Sequence, residues 1–165
     1  MPDLAKSDAI APCLWFDGQA EEAAKFYVGI FADSSVDKVW RAGDGLHIPA
    51  DTAMLVEFTL RGQPFQGLNG GPGYPHTQAM SLSVDCADQA EVDRIWDGLA
   101  ADGGSPVQCG WVKDRFGVSW QVVPRMMGEL QRSGTPAQVG RMMAAMMTMV
   151  KLDIAALQAA FAGDR

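Results

Sequence analysis

Two stretches of this chain follow one plan, and that duplication limits the possible folds more than any single motif does. In the first stretch, PCLWF (12–16) is a short apolar run ending on Asp17-Gly18, a strand that closes in a turn. GQAEEAAKFYVGIF follows, with Ala23, Phe26, Tyr27, Ile30 and Phe31 at the spacing of one face of an amphipathic helix. SSVDKVWRAG (34–43) suits a strand. In TAMLVEFTLRG (52–62), Met54, Val56, Phe58 and Leu60 alternate with Leu55, Glu57 and Thr59. Arg61-Gly62-Gln63 then turns the chain into a further strand around PFQGLN (64–69), completing the order β-α-β-β-β.

GGPGYPH (70–76) is a glycine- and proline-rich connector, after which the order begins again. MSLSVDC (80–86) alternates, and DQAEVDRIWDGLAADGG (88–104) sets Val92, Ile95, Trp96 and Leu99 on one helical face before Gly103-Gly104. SPVQCGWV and VSWQVVP supply strands, with little room for two full ones between Gly104 and Gly117. Lys113 to Gly117 reads as the turn of the final hairpin, with Gly117 at positive φ. There, Trp120 and Val122 are expected on the helix side and Ser119 and Gln121 on the other.

Beyond 134 the chain is rich in methionine. Thr135 precedes Pro136 as an N-cap before a proline at the first helical position. Met142, Met146, Met149, Val150, Leu157 and Phe161 form a stripe too wide for a helix lying in water. A helix pair packed on its own domain, or across a dimer interface, accounts for it; a methionine-rich surface for diverse ligands is the alternative. The prediction is an α+β fold of two βαβββ modules with C-terminal helices. It forms a single domain over 1–165: a first module over 10–70, a second, shorter one over 78–125, and a helical tail over 126–165.

At 165 residues and 48% hydrophobic, the chain is long enough to bury a real core. A net charge of −7 repels a phosphate backbone, so no nucleic-acid partner is expected. No basic stretch leads into an apolar leader, and no run approaches the roughly 18 apolar residues of a membrane span. Cys13, Cys86 and Cys109 are far apart and lack CxxC spacing, which suits reduced thiols in the cytoplasm.

The duplicated plan and the stretch CGWVKDRFGVSWQVVP (109–124) resemble the PhnB-like family of the vicinal oxygen chelate superfamily (glyoxalase, bleomycin resistance, dioxygenase). PCLWFDGQAEEAAKFY, EFTLRGQPFQGLNGG, AMSLSVDCADQAEVDRIWDGL and KLDIAALQAAF carry the likeness over nearly the whole chain, to the branch labelled 3-demethylubiquinone-9 3-methyltransferase. The resemblance implies sheets curled around a concave cavity, usually in a homodimer. It also implies four positions where metal-using relatives place His, Gln or Glu. Here those positions fall on Pro12, Gln66, Ala79 and Gln121. Two neutral amides are a weak donor set for a divalent ion, and a slip of one residue presents Cys13, Met80 and Trp120 instead. No metal is expected.

His47 and His76 lie in loop segments and read as solvated. The methyltransferase label requires S-adenosylmethionine, yet GLNGGPG (67–73) opens no helix, so no cofactor is expected. The expected lining for a small organic ligand is Phe16, Glu57, Gln66, Ser81, Ser83, Cys109, Trp111 and Gln121, with Leu14, Leu68 and Ser119 beside them. Cys109 has no histidine predicted beside it and reads as a small thiol rather than a nucleophile. The function expected is binding of a small molecule without metal. A lyase, isomerase or dioxygenase with an atypical metal site, or a methyltransferase, is the rival.

Overall fold

The structure is a computed structural model that describes residues 10–43 and 49–164. The chain divides between Pro75 and His76 into two compact units. The first contains β1 (Cys13–Phe16), α1 (Ala20–Ile30), β2 (Ser35–Arg41), β3 (Ala53–Leu60) and β4 (Gln63–Asn69). Its sheet runs β1-β4-β3-β2, with β1 parallel to β4 and the other pairs antiparallel. The second begins with β5 (Ser81–Cys86), α2 (Gln89–Ala100), β6 (Ser105–Pro106), β7 (Trp111–Lys113) and β8 (Ser119–Pro124). Its sheet runs β5-β8-β7-β6, again with the outer first strand parallel to the last. Equivalent strands hold equivalent places, so the duplication in the sequence is a duplication of fold. The cramped stretch after Gly104 gives β6 and β7 only two and three residues.

In the first unit the β3–β4 hairpin turns on Arg61 (φ 47°) and Gly62 (φ 78°). Two successive left-handed residues match the twist of a tight two-residue hairpin. Gln19 gives α1 no side-chain cap; instead Asn69 Oδ1 accepts from the Ala20 N–H at 2.9 Å, and the same amide donates to the Ala53 carbonyl. Val56, Phe58, Leu60 and Phe65 are buried with Ala23, Ala24 and Tyr27 of α1, and Phe58 stacks on Phe65. In the second unit Asp88 caps α2 by accepting from the Glu91 N–H. Val92, Ile95, Trp96 and Leu99, all buried as expected, form the core of this unit with Val84, Val112, Trp120 and Val122.

The tail holds three helices rather than a pair: α3 (Arg125–Ser133), α4 (Pro136–Met146) and α5 (Ile154–Ala162). The pattern hides α3, because RMMGELQRS is short, has Gly128 at its centre and offers few apolar positions. The Thr135 capping box and Pro136 open α4 as the sequence indicates. Met127, Met142, Leu152 and Leu157 form a buried cluster, with Val123, Met146, Met149 and Phe161 packed against it, so the tail packs on its own unit. Val150 departs from the expected stripe and is 47% exposed. It lies in the loop after α4, where its carbonyl accepts from the Gly110 N–H at 2.9 Å.

That loop is fastened at three further points. The Cys109 N–H donates to the Met149 carbonyl at 2.8 Å. Gln89 donates to the Leu152 carbonyl and accepts from the Ile154 N–H, so one side chain holds two backbone groups. Lys151 Nζ lies 3.1 Å from both Asp93 and Asp97 on α2.

Candidate functional site

On the second sheet, the side chains of Ser81, Ser83 and Asp85 point away from α2, as do Ser119, Gln121 and Val123 of β8. Register aligns Ser83 with Gln121 across β5–β8, and Gln121 with Trp111 across β8–β7. The Gln121 amide donates to Ser81 Oγ at 2.8 Å, which fixes its orientation. Over this face lie α3, α4 and Leu152, leaving a pocket of about 410 Å³. Cys109, Trp111 and Gln121 line it on the sheet side, and Met127, Met143 and Met146 on the tail side. Asp85, Arg125, Gln131 and Arg132 supply the remaining polar groups. Cys109 adopts φ 61°, and its thiol lies 3.7 Å from Met147 Sδ. Among the described residues no histidine lines the pocket, so none of them serves as the imidazole base that a nucleophilic thiol uses. Ser81 and Ser83 share the sheet face but lie outside the pocket wall.

The other expected residues belong to the first unit. Glu57 and Gln66 face each other in register on β3 and β4, on the side away from α1. Cys13 pairs with Gln66 and Lys38 with Glu57, extending one polar row across four strands. Phe16 was expected beside them and is not there. It is buried with Leu14 on the α1 side, where its ring lies beneath Gly67 and Ala20. Counting from Pro12 put β1 out of phase by one residue, and CLWF, apolar throughout, has no polar position to reveal its phase. Cys13 and Trp15 are the β1 residues facing away from α1. Trp15 Nε1 donates to the Gly71 carbonyl, and its ring meets Tyr74 edge-on at 5.0 Å centroid separation. A Cβ on Gly70 would lie 2.1 Å from that ring, so the connector closes onto Trp15 only because position 70 is glycine.

The stretch CGWVKDRFGVSWQVVP contains one organising residue that its sequence does not announce. Asp114 is buried, and its carboxylate accepts from the Phe116 and Val118 N–H groups and from Trp120 Nε1 at 2.8–3.0 Å. Gly117 takes φ 87° as expected, and Asp114 does the rest of the turn. An aspartate followed two residues on by a free N–H is the usual signal of an Asx-turn, the one local clue available.

The donors fit neither group that the superfamily or the label implies. In the first unit the candidates are Cys13, Gln66 and Glu57; burial pushes the Cys13 thiol above its ordinary value, away from the thiolate a metal requires. In the second they are Ser81 and Gln121, both neutral and bonded to each other. No three His, Cys, Asp or Glu side chains gather among the described residues. His47 lies outside the described residues, and half-buried His76 lies in the connector before β5. The glycine-rich 67–73 segment ends β4 and leads to β5 without opening a helix, so it forms no S-adenosylmethionine turn. Among the described residues no helix is long and apolar enough to cross a membrane.

The profile of a family described as 3-demethylubiquinone-9 3-methyltransferase matches residues 8–123, ending before α3 begins. A PhnB protein from Bacillus cereus, described as a 3-demethylubiquinone-9 3-methyltransferase, is 32% identical with a TM-score of 0.63, the match covering 69% of this chain and 97% of that one. Protein PA1353 from Pseudomonas aeruginosa is 27% identical, with a TM-score of 0.57 over 69% of this chain and 95% of its own. A glyoxalase/bleomycin resistance protein from Albidiferax ferrireducens is 13% identical, with a TM-score of 0.47 over 69% of this chain and 95% of its own. No curated protein gives a significant match. Paired βαβββ modules, a profile match over most of the length and the 32% identical PhnB protein place this chain in the PhnB-like, 3-demethylubiquinone-9 3-methyltransferase family.

Proposed function

We propose that this protein binds a small organic molecule in the pocket of its second unit, with neither a metal nor S-adenosylmethionine. The observation that carries this reading is the pocket itself. Its volume of about 410 Å³ suits a small ligand, and its apolar walls hold a few oriented polar groups. Gln121, held by Ser81, and the Trp111 indole beside it are the main contacts expected from the sheet. The family's name implies methyl transfer, but among the described residues no glycine-rich turn opens a helix to seat the methyl donor. A cytoplasmic location accords with three free cysteines. A homodimer accords with the exposed Trp40 and Met54 of the first unit, and light scattering checks the mass.

The test is a ligand-observed NMR screen of a small-molecule library, with metal content measured after chelator-free purification. Hits are expected to vanish with Gln121→Leu and Trp111→Ala and to persist with Glu57→Gln. A stoichiometric transition metal, or hits indifferent to both pocket changes, would sink the reading.

A further inference from the structure

Two arginines in the pocket wall stand apart from every other described arginine. Arg41 pairs with Glu21 and Asp51, Arg94 with Glu91, and Arg115 with Asp102. Arg141 donates to the Ala160 and Phe161 carbonyls, and Arg61 lies over the Phe31 ring. Arg125 and Arg132 make no ion pair and no side-chain hydrogen bond with any described residue, and both line the pocket. Their two positive charges are therefore met by no carboxylate among the described residues.

The geometry brings the two together. They are seven positions apart on α3, which is two turns and nearly the same helix side, about 10 Å along the axis. Arg132 also folds back toward Arg125: its Nη1 lies 3.4 Å from the point a Cβ on Gly128 would occupy. Gly128 lines the pocket too, one turn before Arg132 on the same face of the helix. One carboxylate, Asp85, shares the wall from the sheet side and has an interaction of its own. Beneath the arginines, Met127, Met143 and Met146 give a polarizable apolar floor.

We propose that the pocket takes an amphiphilic organic anion. Its apolar body lies among Trp111, Met143 and Met146, and its carboxylate, sulfonate or phosphate is gripped by Arg125 and Arg132 at the mouth. Guanidinium groups bind such oxyanions through paired, charge-assisted hydrogen bonds. This inference rests on the pocket being a small-molecule site and names the class of molecule.

Two probes with one ring system test it: 8-anilinonaphthalene-1-sulfonate and the uncharged N-phenyl-1-naphthylamine. The sulfonate is expected to bind about ten-fold or more tightly than the amine. The R125Q/R132Q double variant should lose that preference, weakening the sulfonate about ten-fold while leaving the amine unchanged. Both side chains are exposed and unpartnered, so its melting curve should match that of the parent chain. Gly128→Phe, which fills the pocket, should abolish binding of both probes. Equal affinities untouched by R125Q/R132Q would overturn the anion inference and leave the pocket reading intact. Failure of both probes to bind the parent chain, or binding that survives Gly128→Phe, would overturn the pocket reading with it.

Discussion

The two units share one sheet order and differ in how each closes the same hairpin. In the first, β3 and β4 join through the left-handed pair Arg61 and Gly62, and the Arg61 N–H donates to the Ser34 hydroxyl at 3.2 Å. In the second, β7 and β8 join through a longer turn wound around the buried Asp114 carboxylate. They differ again on the face away from the helix. The first unit lays its connector on Trp15, while the second carries three extra helices and a pocket. A duplicated fold therefore sets the strand positions, and the later additions set what each face can do.

The largest expected effect bears on the hairpins. Asp114→Ala leaves a buried and a part-buried backbone donor and a buried indole N–H unmatched, and should cost about 3 kcal/mol or more. In a chain of this size that lowers Tm by on the order of 10 °C. Arg61→Asn in the other hairpin should cost less than about 1 kcal/mol, since asparagine tolerates the left-handed turn and the loss is of an exposed guanidinium contact with Phe31. Equal losses in the two melts would erase the contrast.

A middle effect concerns the tail. Gly110 sits at φ 80°, and a Cβ there would lie 2.9 Å from Leu152 and 3.0 Å from the Val122 carbonyl. Gly110→Ala should therefore cost about 2 kcal/mol and loosen the 149–154 segment before the sheet. Faster hydrogen exchange there, with the first unit's amides unchanged, is the expected result. Unchanged exchange in the segment would mean that the loop is not held at this point.

The smallest effect is electrostatic. Asp93 lies below its ordinary carboxylate value, chiefly through the Gln89 hydrogen bond and then Lys151. Burial works against the Lys151 charge, but its hydrogen bonds to Asp97 and Asp93 outweigh that and raise its pKa. The lowered carboxylate contributes above its unfolded value and is lost as pH falls through the folded one. The raised ammonium contributes below its unfolded value and is lost as pH rises through the folded one. Lys151→Ala should thus speed exchange at 151–154 slightly across the neutral range, with the difference from the parent chain closing at both extremes. A difference that persists into strong acid would show that the pairs do not fasten the loop.

Much of this was legible in the sequence, and the exceptions have physical causes. Alternation in AMLVEFTL contrasts polar with apolar residues, so the outward placement of Glu57 follows from it. CLWF has no such contrast, and the phase of β1, with Phe16, was lost there. Gln121 and Trp111 fell on one face because VSWQVVP fixes its own phase, and strand pairing then aligns them. The pocket was not legible. It depends on α3, which is short and carries a glycine near its middle, and on where a methionine-rich tail settles, and a flexible thioether packs in many arrangements. Asp114 was hidden for a different reason: a charge in a turn reads as solvated until its donors are seen around it.

The junction of β8 and α3 has one last consequence. The strand ends at Pro124 and the helix begins at Arg125, with no residue between them to absorb motion. Proline's ring fixes φ at that joint, where it is −61°. The helix that presents Arg125 and Arg132 is thus geared directly to the strand that presents Gln121. A guest that shifted one would have to drag the other, so this side of the pocket behaves as a rigid bracket. Any yielding must come from the far end, where a seven-residue loop separates α4 from α5 and Met147 and Val150 face outward.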